Sequence, residues 1–338
     1  MILVTGGTGL VGSHLLLHLL ENGESVSAIY RRNASIQKTK AIFRLTGKEK
    51  LFDQIDWIEA DINDVPSLEF AFRNIEYVYH CAAVLTFDPA LENKLRKVNI
   101  EGTANVVNFC LQYKIKKLCF ISSIAALGDP KEHEPIITEE TEWNPEKSHS
   151  DYAISKYGAE MEIWRGQQEG LEVVIVNPGV ILGNSPDASG WKNGSGEIFT
   201  RVANGLPFYT KGTTGFIAVE DVAEIMYRLM KSEISGERFI LVSKNIPFEL
   251  ILGNIASALK VKSPFIYAKP WLTSLSWRLD WLASFFGRKR KLSQAMARSL
   301  HSRSLFSNAK IKAALHYQFR NIPETVKAIV PNFPIRKK

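Results

Sequence analysis

The stretch Ile2–Leu19, ILVTGGTGLVGSHLLLHL, decides how the rest of the chain is read. Ile2, Leu3 and Val4 form a short apolar run of the kind buried in a parallel sheet. A turn with Gly6, Gly7, Gly9 and Gly12 follows. Beyond it Leu15, Leu16, Leu19 and Leu20 recur at helical spacing. Strand, glycine-rich turn and helix in that order make an anion site, because the N–H groups and dipole of the helix start point outward. Gly6 and Gly9 permit the tight bend and the close approach of a pyrophosphate, and Gly12 lets the helix lie against the strand. The glycine spacing is G-x-x-G-x-x-G, not the commoner G-x-G-x-x-G.

Outward from that turn, strands and helices alternate. Strands are expected at Ser25–Tyr30, Asp56–Ala60, Glu76–Ala83 and Lys117–Ile121, with helices at Ser35–Leu45, Pro66–Phe72 and Leu91–Tyr113 between them. The alternation predicts an α/β fold with a doubly wound parallel sheet, a Rossmann arrangement whose ligands bind beyond the carboxyl ends of the strands. Gly9, Arg31, Asp61 and Ser123 each follow a strand, so they share one sheet edge. His80, inside the fourth strand, is expected to be a packed core histidine.

The end of the second strand bears on the coenzyme. An NAD site expects an acidic residue there to hold the ribose 2′-hydroxyl, but the chain has Tyr30-Arg31-Arg32. A guanidinium suits a 2′-phosphate, so NADP(H) is preferred, with NAD(H) as the alternative.

A polar loop, Asp129–Ser150, leads to Asp151-Tyr152-Ala153-Ile154-Ser155-Lys156, the start of a helix through about Glu169. Tyr152 and Lys156 are one turn apart on one helix face. A phenol titrates near ~10, and a nearby ammonium would lower that value toward what an acid/base catalyst needs.

These residues resemble the extended branch of the short-chain dehydrogenase/reductase superfamily. The resemblance is carried by TGGTGLVG at 5–12, Asp61-Ile62, CAA at 81–83, VNIEGT at 98–103 and SSIAALG at 122–128. It continues through YAISK at 152–156, NPGVILG at 177–183 and FIAVEDVA at 216–223, with a weaker echo in SNAKIKAALHYQFR at 307–320. The resemblance implies that Tyr152 is the general acid/base, that Lys156 holds the nicotinamide ribose and tunes Tyr152, and that Ser123 bonds the substrate oxygen. Gly6, Gly9, Leu10 and Val11, beside Gly12, would cradle the pyrophosphate. Asp61 and Ile62 would contact adenine, Ala82 and Ala83 would line the coenzyme's path, and Pro178 and Val180 would flank the nicotinamide. Asn99 would tie its helix to a neighbouring strand.

Within the superfamily, nucleotide-sugar epimerases and dehydratases usually have an acidic residue after the second strand and an arginine ahead of the segment matching FIAVEDVA. The serine segment of those enzymes often ends Tyr-Gly. Here the second strand ends basic, Lys211–Phe216 holds no arginine, and the serine segment ends Leu127-Gly128. The departures point to relatives of dihydroflavonol 4-reductase and 3β-hydroxysteroid dehydrogenase. The expected activity is an NADP(H)-dependent carbonyl reductase or alcohol dehydrogenase acting on a ketone, aldehyde or secondary alcohol, with a nucleotide-sugar epimerase or dehydratase as the alternative.

Family organisation divides the chain into a coenzyme domain, 1–180 with 215–244 returning to it, and a smaller, mostly helical substrate domain, 181–214 and 245–338. Ser185–Glu197 suits a loop over the pocket, with Lys192 and Ser195 facing solvent. Pro264–Phe286 carries Trp271, Leu275, Trp277, Leu279, Trp281, Leu282, Phe285 and Phe286. From Pro270 the spacing is helical. The first expectation is an amphipathic helix packed on the small domain or lining an apolar pocket. The alternative is weak association with an anionic membrane surface through 270–291, where aromatics stand beside Arg288–Lys291.

At 338 residues, with 45% apolar and 23% charged residues, the composition is that of a globular domain able to bury a large core. The chain starts on its first strand, so no secretory leader is expected, and no apolar run is long enough for a membrane span. Cys81, Cys110 and Cys119 lack metal-like spacing and are expected to be reduced core thiols in a cytoplasmic protein, with no metal bound. The net charge is +7, with basic clusters at Arg288–Lys291 and Arg336–Lys338. No nucleic-acid motif accompanies them, so the expected partner is a small carbonyl or alcohol substrate rather than nucleic acid. The resemblance adds pairing of two copies through a helical face.

Overall fold

A computed structural model describes residues 1–86, 88–130, 135–185, 190–192, 194–284 and 294–334. Seven parallel strands form the central sheet: β1 (Ile2–Thr5), β2 (Val26–Tyr30), β3 (Asp56–Glu59), β4 (Tyr77–His80), β5 (Lys117–Ile121), β6 (Val173–Pro178) and β7 (Glu237–Leu241). Their order across the sheet is β7-β6-β5-β4-β1-β2-β3. The order reverses between β1 and β4, and such a reversal opens a crevice beyond the strand ends.

Alternation along the strands builds the two faces of the core. Ile2, Val4, Cys119, Ile121, Val174 and Val176 face helices α1 (Leu10–Glu21), α2 (Asn33–Leu45) and α6 (Val219–Lys231). Leu3, Leu118, Phe120, Val173 and Ile175 face α3 (Val65–Ala71), α4 (Gly102–Gln112) and α5 (Asp151–Gln168). Both faces are covered, which explains why the strands are apolar at nearly every position.

Three local expectations are corrected. β4 ends at His80, and Cys81–Ala83 continue as a loop whose first amide, that of Cys81, still donates to the Thr5 carbonyl at 3.2 Å. The helix expected over Leu91–Tyr113 is segmented: a π-helical stretch, Arg96–Glu101, separates the turn Glu92–Leu95 from α4. That stretch holds Asn99, and π-helical turns are commonly retained where a side chain must be re-aimed. Strand β6, between β5 and β7, has no counterpart among the strands expected from the sequence, because a continuous apolar run has no alternation to tell a buried strand from a buried helix segment.

The C-terminal half adds a second core around Leu182, Trp191, Phe199, Phe216, Ile251, Ile255, Val326 and Ile329. It is largely helical, with α7 (Phe248–Leu259), α8 (Pro270–Ser284) and α9 (Ile322–Ile329). The closing segment does not stay there. Ile311 and Tyr317 are buried in the core beneath α1 and α6. The Tyr317 hydroxyl donates to Asp221 Oδ1 at 2.9 Å, and the Arg320 amide donates to Asp221 Oδ2 at 3.0 Å. Two motifs about a hundred residues apart in the sequence thus meet at one buried carboxylate.

Helix α8 corrects the packing expectation for Pro264–Phe286. Its apolar stripe points outward: Trp271 is 64% exposed, Leu279 56% and Leu282 49%. The inward side carries Thr273, whose hydroxyl donates to the Pro270 carbonyl and pairs with His301 Nε2 at 2.8 Å. Phe285, Phe286, the basic run Arg288–Lys291 and the tail Arg336–Lys338 lie outside the described residues, as do 186–189 and 193 of the expected pocket loop.

Candidate active site

The glycine turn makes two backbone contacts that admit no side chain. Gly6 has φ +69°, and a Cβ there would lie 2.6 Å from the Ala82 amide nitrogen. A Cβ on Gly12 would lie 2.2 Å from the Gly6 carbonyl oxygen. The first contact brings the turn against Cys81 and Ala82, and the second seats the start of α1 on the turn that leaves β1. Gly9 is the N-cap of α1 and supplies no side-chain hydrogen bond to the helix start. Free N–H groups, a helix dipole and a cradle without side chains fit a pyrophosphate. Leu10 and Val11, half-buried in the first turn, stand beside it.

Next along the sheet edge, Arg31 is exposed after β2, and its guanidinium lies 3.8 Å from Asp61 Oδ2 after β3. Asp61 Oδ1 also accepts from the Asn63 amide at 3.0 Å. The Ile62 side chain is buried against Gly102 rather than at the edge, and its carbonyl accepts from Asn105 Nδ2 at 2.9 Å.

His80 closes the end of β4 as a core residue, as expected. Thr103 Oγ1 donates to the Asn99 carbonyl, so it accepts from His80 Nε2 at 2.9 Å, and His80 Nδ1 accepts from Thr5 at 2.7 Å. Thr5 Oγ1 in turn accepts from the Ala82 amide at 3.2 Å. Burial pushes the imidazole down to about 3, with the Lys156 charge acting the same way. The ring is neutral and its tautomer is fixed by the chain of bonds. Asn99 secures the same loop: it accepts from the Val84 amide at 2.8 Å, donates to the Val84 carbonyl at 3.0 Å and donates to Ser155 Oγ at 3.0 Å. It therefore joins the loop after β4 to α5, as well as bracing its own helix.

The three residues singled out for chemistry come together. Ser123, following β5, accepts from the Ala125 amide at 3.1 Å and shares a hydrogen bond with the Tyr152 phenol. Tyr152 begins α5, whose N-cap Ser150 accepts from the Ala153 amide at 3.2 Å. Lys156, one turn on, is 3% exposed; its ammonium donates to the Ile121 carbonyl at 2.8 Å and stands 4.9 Å over the Phe120 ring. Burial raises the Tyr152 phenol, while the bond with Ser123 partly opposes the rise. Burial lowers Lys156 to about 8. In the protein without coenzyme desolvation is the stronger effect on the phenol, and the resting tyrosine holds its proton.

A supporting cluster escaped the sequence reading. Glu160, one turn beyond Lys156, is wholly buried; Asn177 Nδ2 donates to its Oε1 at 2.5 Å, and Arg238 pairs with Oε2 at 3.3 Å. Asn177 Nδ2 also donates to the Ser123 carbonyl at 3.0 Å. β6 and β7 thereby fix the serine and the helix of Tyr152 relative to each other. The available signal was spacing: Tyr152, Lys156 and Glu160 repeat every four residues, which places them on one face. Pro178 is buried at the end of β6 and Val180 is half-buried just after it. Among the described residues no group of three or more histidine, cysteine or acidic side chains could hold a metal ion.

A glycine cradle at the sheet's switch point, with a Ser–Tyr–Lys group at the same edge, defines a dinucleotide-dependent enzyme. The NAD dependent epimerase/dehydratase family matches residues 2–241. The chain belongs to that family, within the extended short-chain dehydrogenases/reductases, and is an NAD(P)-dependent enzyme of that type acting on small molecules. It is 29% identical over 278 residues to a putative dihydroflavonol 4-reductase of Synechocystis, covering 80% of this chain and 75% of that one. It is 30% identical over 262 residues to anthocyanidin reductase of Arabidopsis thaliana, covering 72% of this chain and 75% of the relative. The crystal structure of gox2253 superposes with a TM-score of 0.80 at 26% identity, over 98% of this chain and 97% of the other.

Proposed function

We propose that the protein is an NADP(H)-dependent oxidoreductase that interconverts a ketone or aldehyde with its alcohol. The observation that carries the reading is the Tyr152 phenol, buried and bonded to Ser123, one turn from a buried ammonium. A nicotinamide coenzyme held at this edge supplies or accepts the hydride. In reduction, Tyr152 delivers its proton to the substrate oxygen as that oxygen gains charge, and Ser123 donates a hydrogen bond to the same atom. Lys156 has N–H groups beyond the one on Ile121, and these hold the ribose hydroxyls and stabilise the phenolate that remains. In oxidation the proton returns to Tyr152.

Gly6, Gly9, Leu10, Val11 and Gly12 hold the pyrophosphate; Asp61 and the backbone of Ile62 meet the adenine; Ala82, Ala83, Pro178 and Val180 line the path to the nicotinamide. Arg31 supports NADP(H), since its guanidinium is exposed at the ribose edge and can exchange its long contact with Asp61 for a 2′-phosphate. The two curated reductases matched over more than two thirds of the chain support a reductase over a sugar epimerase. Division into a coenzyme domain, 1–180 with 215–244, and a substrate domain, 181–214 and 245–338, follows from the same reading.

The test is a coenzyme-oxidation screen with NADPH and NADH over flavonoids, sterols, simple aldehydes and sugar nucleotides. NADPH-dependent loss of a carbonyl is the expected result. Turnover of a nucleotide sugar by protein that retains NAD, with no added coenzyme, would replace this reading with the epimerase one.

A further inference from the structure

Helix α8 is amphipathic with its apolar side outward. Trp271, Leu275, Leu279 and Leu282 follow one another at spacings of four, four and three and share a stripe. All four are exposed, and Arg278 lies exposed between two of them. The inward side is held by a polar residue, Thr273, through its bond with His301. The two-stranded ribbon leading into the helix continues the exposed apolar surface: Ile266 pairs with Phe208, and Phe208, Phe265 and Ile266 are each at least 40% exposed. Lys262 stands 4.1 Å over the Phe265 ring, and exposed Lys269 directly precedes the helix.

Charge selects the occupant of this surface. Among the described residues from Lys260 to Arg303, Lys260, Lys262, Lys269, Arg278, Arg298 and Arg303 are all exposed, and Asp280 is the one acidic side chain. The whole chain carries +7, and six exposed cations against one acid fall in the segment that carries the apolar stripe. Tryptophan and leucine on a helix face, ringed by lysine and arginine, are what interfacial attachment to an anionic bilayer requires: apolar side chains enter the acyl boundary and cations meet the headgroups. A second copy of the chain would bring like charge against like charge at the same surface. Among the described residues no helix is long and apolar enough to cross a membrane, so the attachment lies on the surface.

We propose that α8, with the Phe208–Ile266 ribbon beside it, docks this protein on anionic lipid surfaces.

The test is co-sedimentation of the full chain with vesicles of phosphatidylglycerol and phosphatidylcholine, and with phosphatidylcholine alone, at low and high salt. Binding to the anionic vesicles that weakens about tenfold at high salt, and about tenfold in the double variant Leu275→Glu/Leu279→Glu, supports the proposal. Circular dichroism and thermal unfolding of the variant are expected to match the parent, because both leucines are exposed. No sedimentation at low salt, or equal binding by parent and folded variant, overturns it. Light scattering that finds a parent dimer separated by the same substitutions, without lipid binding, assigns the face to a second copy and also overturns it.

Discussion

The Lys156 ammonium donates a 2.8 Å hydrogen bond to the carbonyl of Ile121, the last residue of β5 and two positions before Ser123. The helix that carries Tyr152 is thereby pinned to the strand end that carries the serine. One buried cation sets the distance between the two residues that would bracket a substrate oxygen.

The charge on that cation is marginal. Burial lowers Lys156 from 10.5 to about 8, so the folded state binds its proton more weakly than the unfolded chain does. The sign follows: the protonated lysine costs stability below about pH 8, and the cost is relieved as pH rises toward 10.5. Affinity runs the opposite way, because the neutral amine is a poorer ribose ligand. Coenzyme binding, followed by fluorescence titration, is expected to weaken as pH rises through about 8 and to be weaker and pH-independent in Lys156→Met. A flat profile in the parent would remove Lys156 from the binding site.

Replacing Tyr152 by Phe removes the hydroxyl that the proposed reaction uses as its acid and leaves the ring in place. Turnover is expected to fall by about 10²–10⁴-fold while the coenzyme dissociation constant changes little. A variant that retains parent-level turnover would falsify the assignment of Tyr152 as the acid.

Arg31 is exposed and its contact with Asp61 is long, so its loss should cost the fold almost nothing. Arg31→Ala is expected to weaken NADPH binding about tenfold and leave NADH binding nearly unchanged. Equal losses for both coenzymes, or a parent that prefers NADH, would show that no 2′-phosphate is read at this position.

Gly12→Ala places a methyl group against the Gly6 carbonyl, a contact that only backbone movement can relieve. Thermal unfolding should report a destabilisation of about 1–3 kcal/mol, and coenzyme affinity should fall with it because the displaced turn is the proposed phosphate cradle. An unshifted melting temperature with full affinity would mean that the helix can back away from β1 without cost.

Asn99→Leu leaves the amide and the carbonyl of Val84 without their partner at a part-buried position. The expected cost is about 2 kcal/mol by denaturant titration. Because Asn99 also donates to Ser155, next to Lys156, kcat should fall as well. Loss of stability without loss of kcat would confine Asn99 to bracing the loop after β4.

The sequence by itself determined the doubly wound sheet, the glycine turn after its first strand, and the place of Ser123 at the same edge, while the family resemblance added Tyr152 and Lys156. These follow from local periodicity and from short motifs whose spacing is set by helix and strand geometry. Tertiary structure alone decided the rest. Glu160, Asn177 and Arg238 lie on α5, β6 and β7, and only strand pairing brings them into one buried cluster. How far the Tyr152 phenol is raised depends on how deeply neighbouring elements bury it. The stripe on α8 is legible as helical spacing, but spacing has no inside or outside. Which side meets the protein was settled by the bond between Thr273 and His301, and that left Trp271 and three leucines facing outward.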